Sequence, residues 1–258
     1  MEQQIIYNQS EFDLRCEWGE QGVAQLFASS DVVVIVDVLS FSTCVEIATH
    51  NGATVFPYRW RDQSAAAYAK AMKAVLAGGR DSSNVSEAFC KTPCGDRTSP
   101  YSLSPASLRQ ISAGTRLVLP SSNGATLSLS TQKTPTLAGC LRNYGAIAQA
   151  AQRFGCKIAV IPAGERWQDG SLRPAWEDWV GAGAILSQLK GSCSPEAEAA
   201  IALFHQAKDY IKTRIKQCSS GKELIARGFV NDVALASDLN VSDCIPQLMD
   251  GAYINKGN

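Results

Sequence analysis

The run "VVVIVDV" carries five branched apolar residues straight into Asp37, and Ser40, Ser42 and Thr43 follow at once. A carboxylate where a strand leaves the core must be solvated, hydrogen-bonded or bound to a cation, because burying it uncompensated is costly. Ser42 or Thr43 then opens the helix "STCVEIATHN", which puts hydroxyls and unpaired backbone N–H groups at a positive helix end, a cradle for phosphate. A second such turn, "SSNGAT" at residues 121–126, offers Ser121, Ser122 and Asn123 as donors, with Gly124 allowing close backbone approach. Glu177 and Asp178 stand at the start of "AWEDWVGAGAIL", after a third apolar run. Each feature taken singly also fits ordinary helix capping or helix-end electrostatics, the commoner use of these residues. Together they are the parts a magnesium-assisted phosphate site needs: oxygen ligands for a hard cation and N–H groups for the phosphoryl oxygens.

Other chemistries find less support. His50 ends a helix and His205 lies inside another, neither beside a nucleophile motif, so a serine hydrolase is disfavoured. No G-x-x-x-x-G-K-[ST] tract and no G-x-G-x-x-G after a strand is present, which removes the usual NTPase and dinucleotide fingerprints. A haloacid-dehalogenase-type phosphatase wants a second aspartate two residues after the first, and that position is Leu39. The nine cysteines are odd in number and scattered, which suits reduced thiols; Cys90 and Cys94 form C-x-x-x-C without a second pair nearby to complete a zinc site.

The elements that must position these residues are read from periodicity. Strand-length apolar runs take turns with helix-like segments: "DVVVIVDV" then "STCVEIATHN", "ATVFPY" then "QSAAAYAKAMKAVLAGG", "TRLVLP" then "GATLSLS", "CKIAVIPAG" then "AWEDWVGAGAILSQL". Strands that do not alternate apolar with polar are covered on both faces, so the expected fold is α/β, a layered α/β/α arrangement around a mainly parallel sheet. It spans 1–258 as a single α/β domain or as two closely packed lobes. A further helix is expected over "SPEAEAAIALFHQAKDYIKTRIKQ", with Ser194 as cap and Pro195 in the first turn. The Gly-, Ser- and Pro-rich tract 78–105 reads as a long loop or rim, or as short edge strands, and loops of this length are often functional.

Lys plus Arg equals Asp plus Glu at 24 each, so no global field recruits nucleic acid or an anionic membrane, and local charge must carry any anion binding. No apolar run reaches membrane-spanning length and the N-terminus lacks a signal pattern, so a cytoplasmic location is expected. Apolar helix faces are compatible with a homodimer, although no heptad demands one.

In order along the chain, "VDVLSFST", "NGATVFP", "LVLPSSNGA", "SLRPAWEDWVGAGAIL" and "GFVNDVALASDLNVSDCIPQL" resemble the motifs of the 2-phosphosulfolactate phosphatases, or ComB-like proteins. The resemblance implies a Mg2+-dependent acid phosphatase that acts on a small-molecule phosphate ester, converting 2-phosphosulfolactate to sulfolactate and phosphate on the way to coenzyme M. Carried over by position, Asp37, Glu177 and Asp178 become the catalytic carboxylates, with Asp37 and Asp178 as metal ligands. Ser42, Thr43, Ser122, Asn123 and Gly124 become the phosphate-binding set, and Asp232 is a weaker candidate. The family carries arginine in the first turn where this chain has Ser40, so a cation for phosphate or sulfonate is missing at that place; Arg59, Arg61, Arg97, Arg166 and Arg173 are the candidates to supply it from elsewhere. The family's middle segment survives only as "GDRTSP" at 95–100. That departure favours the reaction class over the exact ester. The competing expectation is a non-catalytic module that binds a phosphorylated or sulfonated metabolite, and the plainest is a protein in which these features are caps and loop acids only.

Overall fold

A computed structural model describes residues 6–80 and 99–257. Its strands in chain order are β1 (Leu14–Cys16), β2 (Val32–Val36), β3 (Thr54–Tyr58), β4 (Val75–Leu76), β5 (Arg116–Pro120), β6 (Thr136–Gly139), β7 (Ile158–Pro162), the short pair β8 (Glu165–Arg166) and β9 (Leu172–Arg173), and the hairpin β10 (Pro246–Met249) and β11 (Ala252–Asn255). Nine of them join in the order β1-β7-β2-β6-β10-β11-β3-β5-β4. The four on one side run parallel, as do β3, β5 and β4 on the other. The antiparallel hairpin is inserted between these halves, pairing with β6 and β3. The expected α/β class with a mainly parallel sheet is therefore observed.

Both faces of the sheet are covered, as the unbroken apolar runs require. Along β2, Val32, Val34 and Val36 enter one core cluster while Val33 and Ile35 enter another. The first cluster is filled by helices α6 (Tyr144–Ala151), α7 (Trp176–Leu186) and α8 (Pro195–Ala207), the second by α1 (Gly19–Leu26) and α5 (Gly124–Ser130). In the other half, Leu117 and Leu119 of β5 meet α2 (Phe41–His50), whereas Val118 turns to Phe56 and α3 (Gln63–Ala71). This two-sided burial is the period-2 geometry of a strand applied to a sequence apolar at every position.

Some boundaries depart from the periodicity. The helix expected over 194–217 is divided into α8, a 3-10 turn at Lys208–Tyr210 and α9 (Ile211–Gln217), yet Ala200, Phe204, Ala207, Ile211 and Ile215 stay on one buried face across the break. The helix after β3 stops at Ala71, and Lys73 takes a positive φ of 50°. That turn frees Val75 and Leu76 to pair with β5 as an edge strand. Of the tract 78–105, residues 81–98 with Cys90, Cys94 and Arg97 lie outside the described residues. Its described ends meet at a Gly78–Ser102 bridge, and a short helix, α4 (Pro105–Leu108), closes it.

Strands β2 and β5 are separated by β6, β10, β11 and β3, and the inserted hairpin makes them run in opposite directions. In a flat sheet their C-terminal ends would lie on opposite edges. Sheets twist by roughly 20–25° per neighbouring strand, so over this distance opposed strands become steeply crossed. The loops after β2 and β5 do meet, as the contacts of Asp37 show.

Candidate active site

Asp37 follows the last residue of β2 and is only 6% exposed. Its Oδ1 accepts the Phe41 N–H at 3.0 Å, and its Oδ2 accepts the Gly124 N–H at 2.9 Å. The carboxylate therefore sits at the first turns of both α2 and α5, where unpaired N–H groups favour a negative charge. Gly124 is required by this approach: a Cβ there would lie 2.4 Å from Phe41 Cδ1 and 2.8 Å from Asp37 Oδ2. Burial pushes the Asp37 carboxyl above its ordinary range and Glu177 adds to the rise, while the two N–H donors and Arg80 pull it back.

The hydroxyls behind Asp37 have structural partners. Helix α2 begins at Phe41, with Ser40 in the cap position, one residue before the expected start. Ser42 Oγ accepts the Asp37 N–H at 3.0 Å and donates to the Ile35 carbonyl at 3.0 Å; Thr43 Oγ1 donates to the Val38 carbonyl at 2.8 Å. Both residues are fully buried. The N–H groups expected to hold phosphate at this helix start instead hold the protein's own carboxylate, and these hydroxyls brace the turn that carries it.

Asp178 extends the brace. Its Oδ1 accepts the Val38 N–H at 2.7 Å and its Oδ2 accepts the Gly164 N–H at 2.9 Å, tying the chain after β2 to the chain after β7. Its carboxyl is raised well above the usual carboxylate range, by burial first and then by Asp37 and Glu177. Glu177 is 1% exposed, and its Oε2 has no hydrogen-bond partner among the described residues. A fourth acid joins them: Glu165, at the start of β8, is pushed up to about 7, by burial first and by Asp37 second. Its Oε2 accepts the Asn123 Nδ2–H at 2.8 Å.

Asp37 and Glu165 border a cavity of about 340 Å³ whose wall also includes Ser40, Ser121, Ser122 and Asn123. Ser122 is exposed at its rim, and Ser121 Oγ accepts the Asn123 N–H at 3.3 Å. Four arginines stand in the same wall: Arg59, Arg61, Arg80 and Arg227. Arg59 donates to Ser130 Oγ at 3.2 Å. Arg80 donates to Ser40 Oγ, lies 3.5 Å through Nε from Asp232 Oδ2, and stacks 5.7 Å from the Phe229 ring centroid. Asp232 is itself fixed, its Oδ1 accepting from Ser104 Oγ at 2.6 Å and from the Ala106 N–H at 3.0 Å. Arg166 instead pairs with Glu20, and Arg173 donates to Ser220 Oγ at 3.2 Å, so neither stands in this wall.

Asp37, Ser122 and Asn123 thus share one cavity, Gly124 supplies an N–H to its central carboxylate, and Glu177 and Asp178 lie within electrostatic reach of it. Glu165 and Arg80 were not legible as site residues. Glu165 sits three residues after the end of β7, in "AGERW", where the strand-end rule could have found it. Arg80 is distant in sequence from Ser40 and carries no local signal.

Four acids within mutual electrostatic reach, with the orphaned Glu177 Oε2 among them, make a setting in which a cation is favoured. Among the described residues no three His, Cys, Asp or Glu side chains group as a protein-only metal site.

Among the described residues no helix is long and apolar enough to cross a membrane. The chain matches a family model described as 2-phosphosulpholactate phosphatase over residues 21–251. It is 33% identical over 138 residues to the 2-phosphosulfolactate phosphatase of Methanothermobacter thermautotrophicus, a match covering 54% of this chain and 58% of that protein. It is 27% identical over 232 residues to the probable 2-phosphosulfolactate phosphatase of Gloeobacter violaceus, covering 88% of this chain and 92% of the relative. The similarly named protein of Carboxydothermus hydrogenoformans is 27% identical, covering 88% and 91%.

Proposed function

The chain belongs to the 2-phosphosulpholactate phosphatase family, and we propose that it is a Mg2+-dependent phosphatase hydrolysing a small anionic phosphate ester, 2-phosphosulfolactate, to sulfolactate and phosphate. The observation that supports this most is the cavity in which Asp37, held by two N–H donors, faces a wall of arginines. A phosphomonoester with further acid groups brings several negative charges, and guanidinium groups match planar and tetrahedral oxyanions.

The residues divide the work as follows. Arg59 and Arg61, beside the Ser121–Asn123 turn, hold the phosphoryl oxygens together with Ser122 and Asn123. Arg80, aimed at Ser40 and fixed by Asp232 and Phe229, holds an acid group on the substrate's other end. It fills from another element the place where the resembling family has its first-turn arginine. Asp37 accepts the proton of the attacking water, and its raised pKa strengthens it as a base. Glu165, whose raised pKa of about 7 leaves it partly protonated near neutral pH, gives its proton to the leaving alkoxide oxygen. Asp178 positions Asp37 by fixing the backbone at Val38 and Gly164. Mg2+ would be held by Glu177, whose Oε2 has no partner among the described residues, whereas Asp37 and Asp178, the expected ligands, have both carboxylate oxygens engaged by backbone N–H groups; when bound, the ion would act as a Lewis acid that neutralises phosphoryl charge.

A panel of small phosphate esters, including 2-phosphosulfolactate, tests this reading with Mg2+ and with chelator. Mg2+-dependent phosphate release, greatest for esters with extra acid groups, is the expected result. Binding of 2-phosphosulfolactate without turnover would replace it with a non-catalytic binding module.

A further inference from the structure

A second cavity, of about 280 Å³, lies beside the first, and the two share Asn123 and Glu165 in their walls. The rest of the second wall is mixed: Trp18, Leu127, Ala163 and Leu172 supply apolar surface beside Gln21, and the Glu20–Arg166 ion pair stands at its exposed side. The two shared side chains are joined by the hydrogen bond from Asn123 Nδ2 to Glu165 Oε2. A side-chain pair bonded across the boundary of two cavities is a partition. Asn123 is placed for this by the turn between β5 and α5, and Glu165 by the first residue of β8, so the partition joins the two halves of the molecule.

We propose that the Asn123–Glu165 hydrogen bond is a specificity-determining partition: it confines accepted phosphate esters to those whose alcohol portion fits the arginine-lined cavity, and the second cavity behind it is a latent subsite for a bulkier aromatic or aliphatic alcohol group. The proposal rests on the phosphatase reading. It adds that substrate size is set by one removable contact rather than by the strand ends themselves. Truncating Asn123 would open the arginine-lined space toward the second one, where a naphthyl group would meet Trp18, Leu127 and Leu172.

The test compares kcat/KM for 1-naphthyl phosphate with that for 2-phosphosulfolactate in the wild type, Asn123→Ala, Leu172→Trp and the double variant. Asn123→Ala is expected to raise the ratio of naphthyl to small ester by about tenfold or more, the scale on which pocket shape discriminates hydrocarbon groups. Leu172→Trp, which adds bulk to the second cavity, is expected to leave the wild-type ratio unchanged and to cancel the gain in the double variant. An unchanged ratio in Asn123→Ala, or a gain that survives Leu172→Trp, overturns the partition. Absence of phosphate release by the wild type from either ester would instead count against the phosphatase reading, so the two failures are distinguishable.

Discussion

Gly124→Ala probes the junction on which the site depends. The added Cβ would meet Phe41 Cδ1 at 2.4 Å, Phe41 Cγ at 2.7 Å and Asp37 Oδ2 at 2.8 Å, and Phe41 is fully buried, so it has no open space to swing into. Forcing a methyl group into such packing costs about 1–3 kcal/mol. Drawing α5 back to relieve it breaks the Gly124 N–H bond to Asp37, and a hydrogen bond to a charged group contributes about 1.5–3 kcal/mol. Against these stands the better helix propensity of alanine, about 1 kcal/mol at most. By either route the net loss is about 1–3 kcal/mol, which for a chain of this size lowers Tm by roughly 2–12 °C. Displacing Asp37 by even about 1 Å also costs on the order of a hundredfold in rate. Thermal unfolding and steady-state phosphate release on the same preparation measure both. A variant whose Tm stays within about 2 °C of wild type, with kcat within about threefold, would refute the described junction.

Further outcomes follow from the same geometry. Glu165 has a raised pKa of about 7, so its carboxyl is protonated below that pH and loses its proton above it. If it donates to the leaving group, kcat falls as pH rises through about 7, and in Glu165→Gln the pH–rate profile loses that limb and the overall rate drops. The same shift makes its contribution to stability greatest below the unfolded carboxyl pKa and lost as pH rises through about 7. Asp178→Asn keeps one acceptor but turns an amide against the other N–H; with a buried donor left unsatisfied, it should lose about 1–3 kcal/mol in denaturant unfolding, and wild-type stability would exclude the brace. Arg80→Ala should raise KM for 2-phosphosulfolactate while leaving KM for p-nitrophenyl phosphate, which lacks the second acid group, nearly unchanged; an equal effect on both would remove Arg80 from the acid-group role. Removing divalent ions with chelator should abolish turnover, with Mg2+ restoring it, and metal-independent turnover would contradict the assigned cation.

How much of this was legible in the sequence depends on whether the signal was local. The unbroken apolar runs around Val32–Val36 and Ile158–Pro162 identified strands buried on both faces, and the α/β class followed from their alternation with helices. Asp37 stood out because a carboxylate ended such a run, and "SSNGAT" because Gly124 opened a helix. The partners were not legible. Ser42 and Thr43 looked like ligand donors, but their hydroxyls close hydrogen bonds within their own turn. Whether a helix-start N–H meets a ligand or the protein's own carboxylate depends on which loops converge. That convergence depends on the inserted hairpin and the twist of the sheet. Arg80, Asp232 and the Asn123–Glu165 pair belong to the same long-range class.

The most direct test of the central claim is phosphate release from 2-phosphosulfolactate, with Mg2+ present, by wild type and by Asp37→Asn, each first shown to be folded by its thermal transition. The account predicts sustained turnover by the wild type and a fall of about a hundredfold or more in kcat for the variant, the scale of losing a positioned proton acceptor. Turnover by Asp37→Asn within about twofold of wild type would contradict it, because the carboxylate on which both loops converge would then have no part in the chemistry.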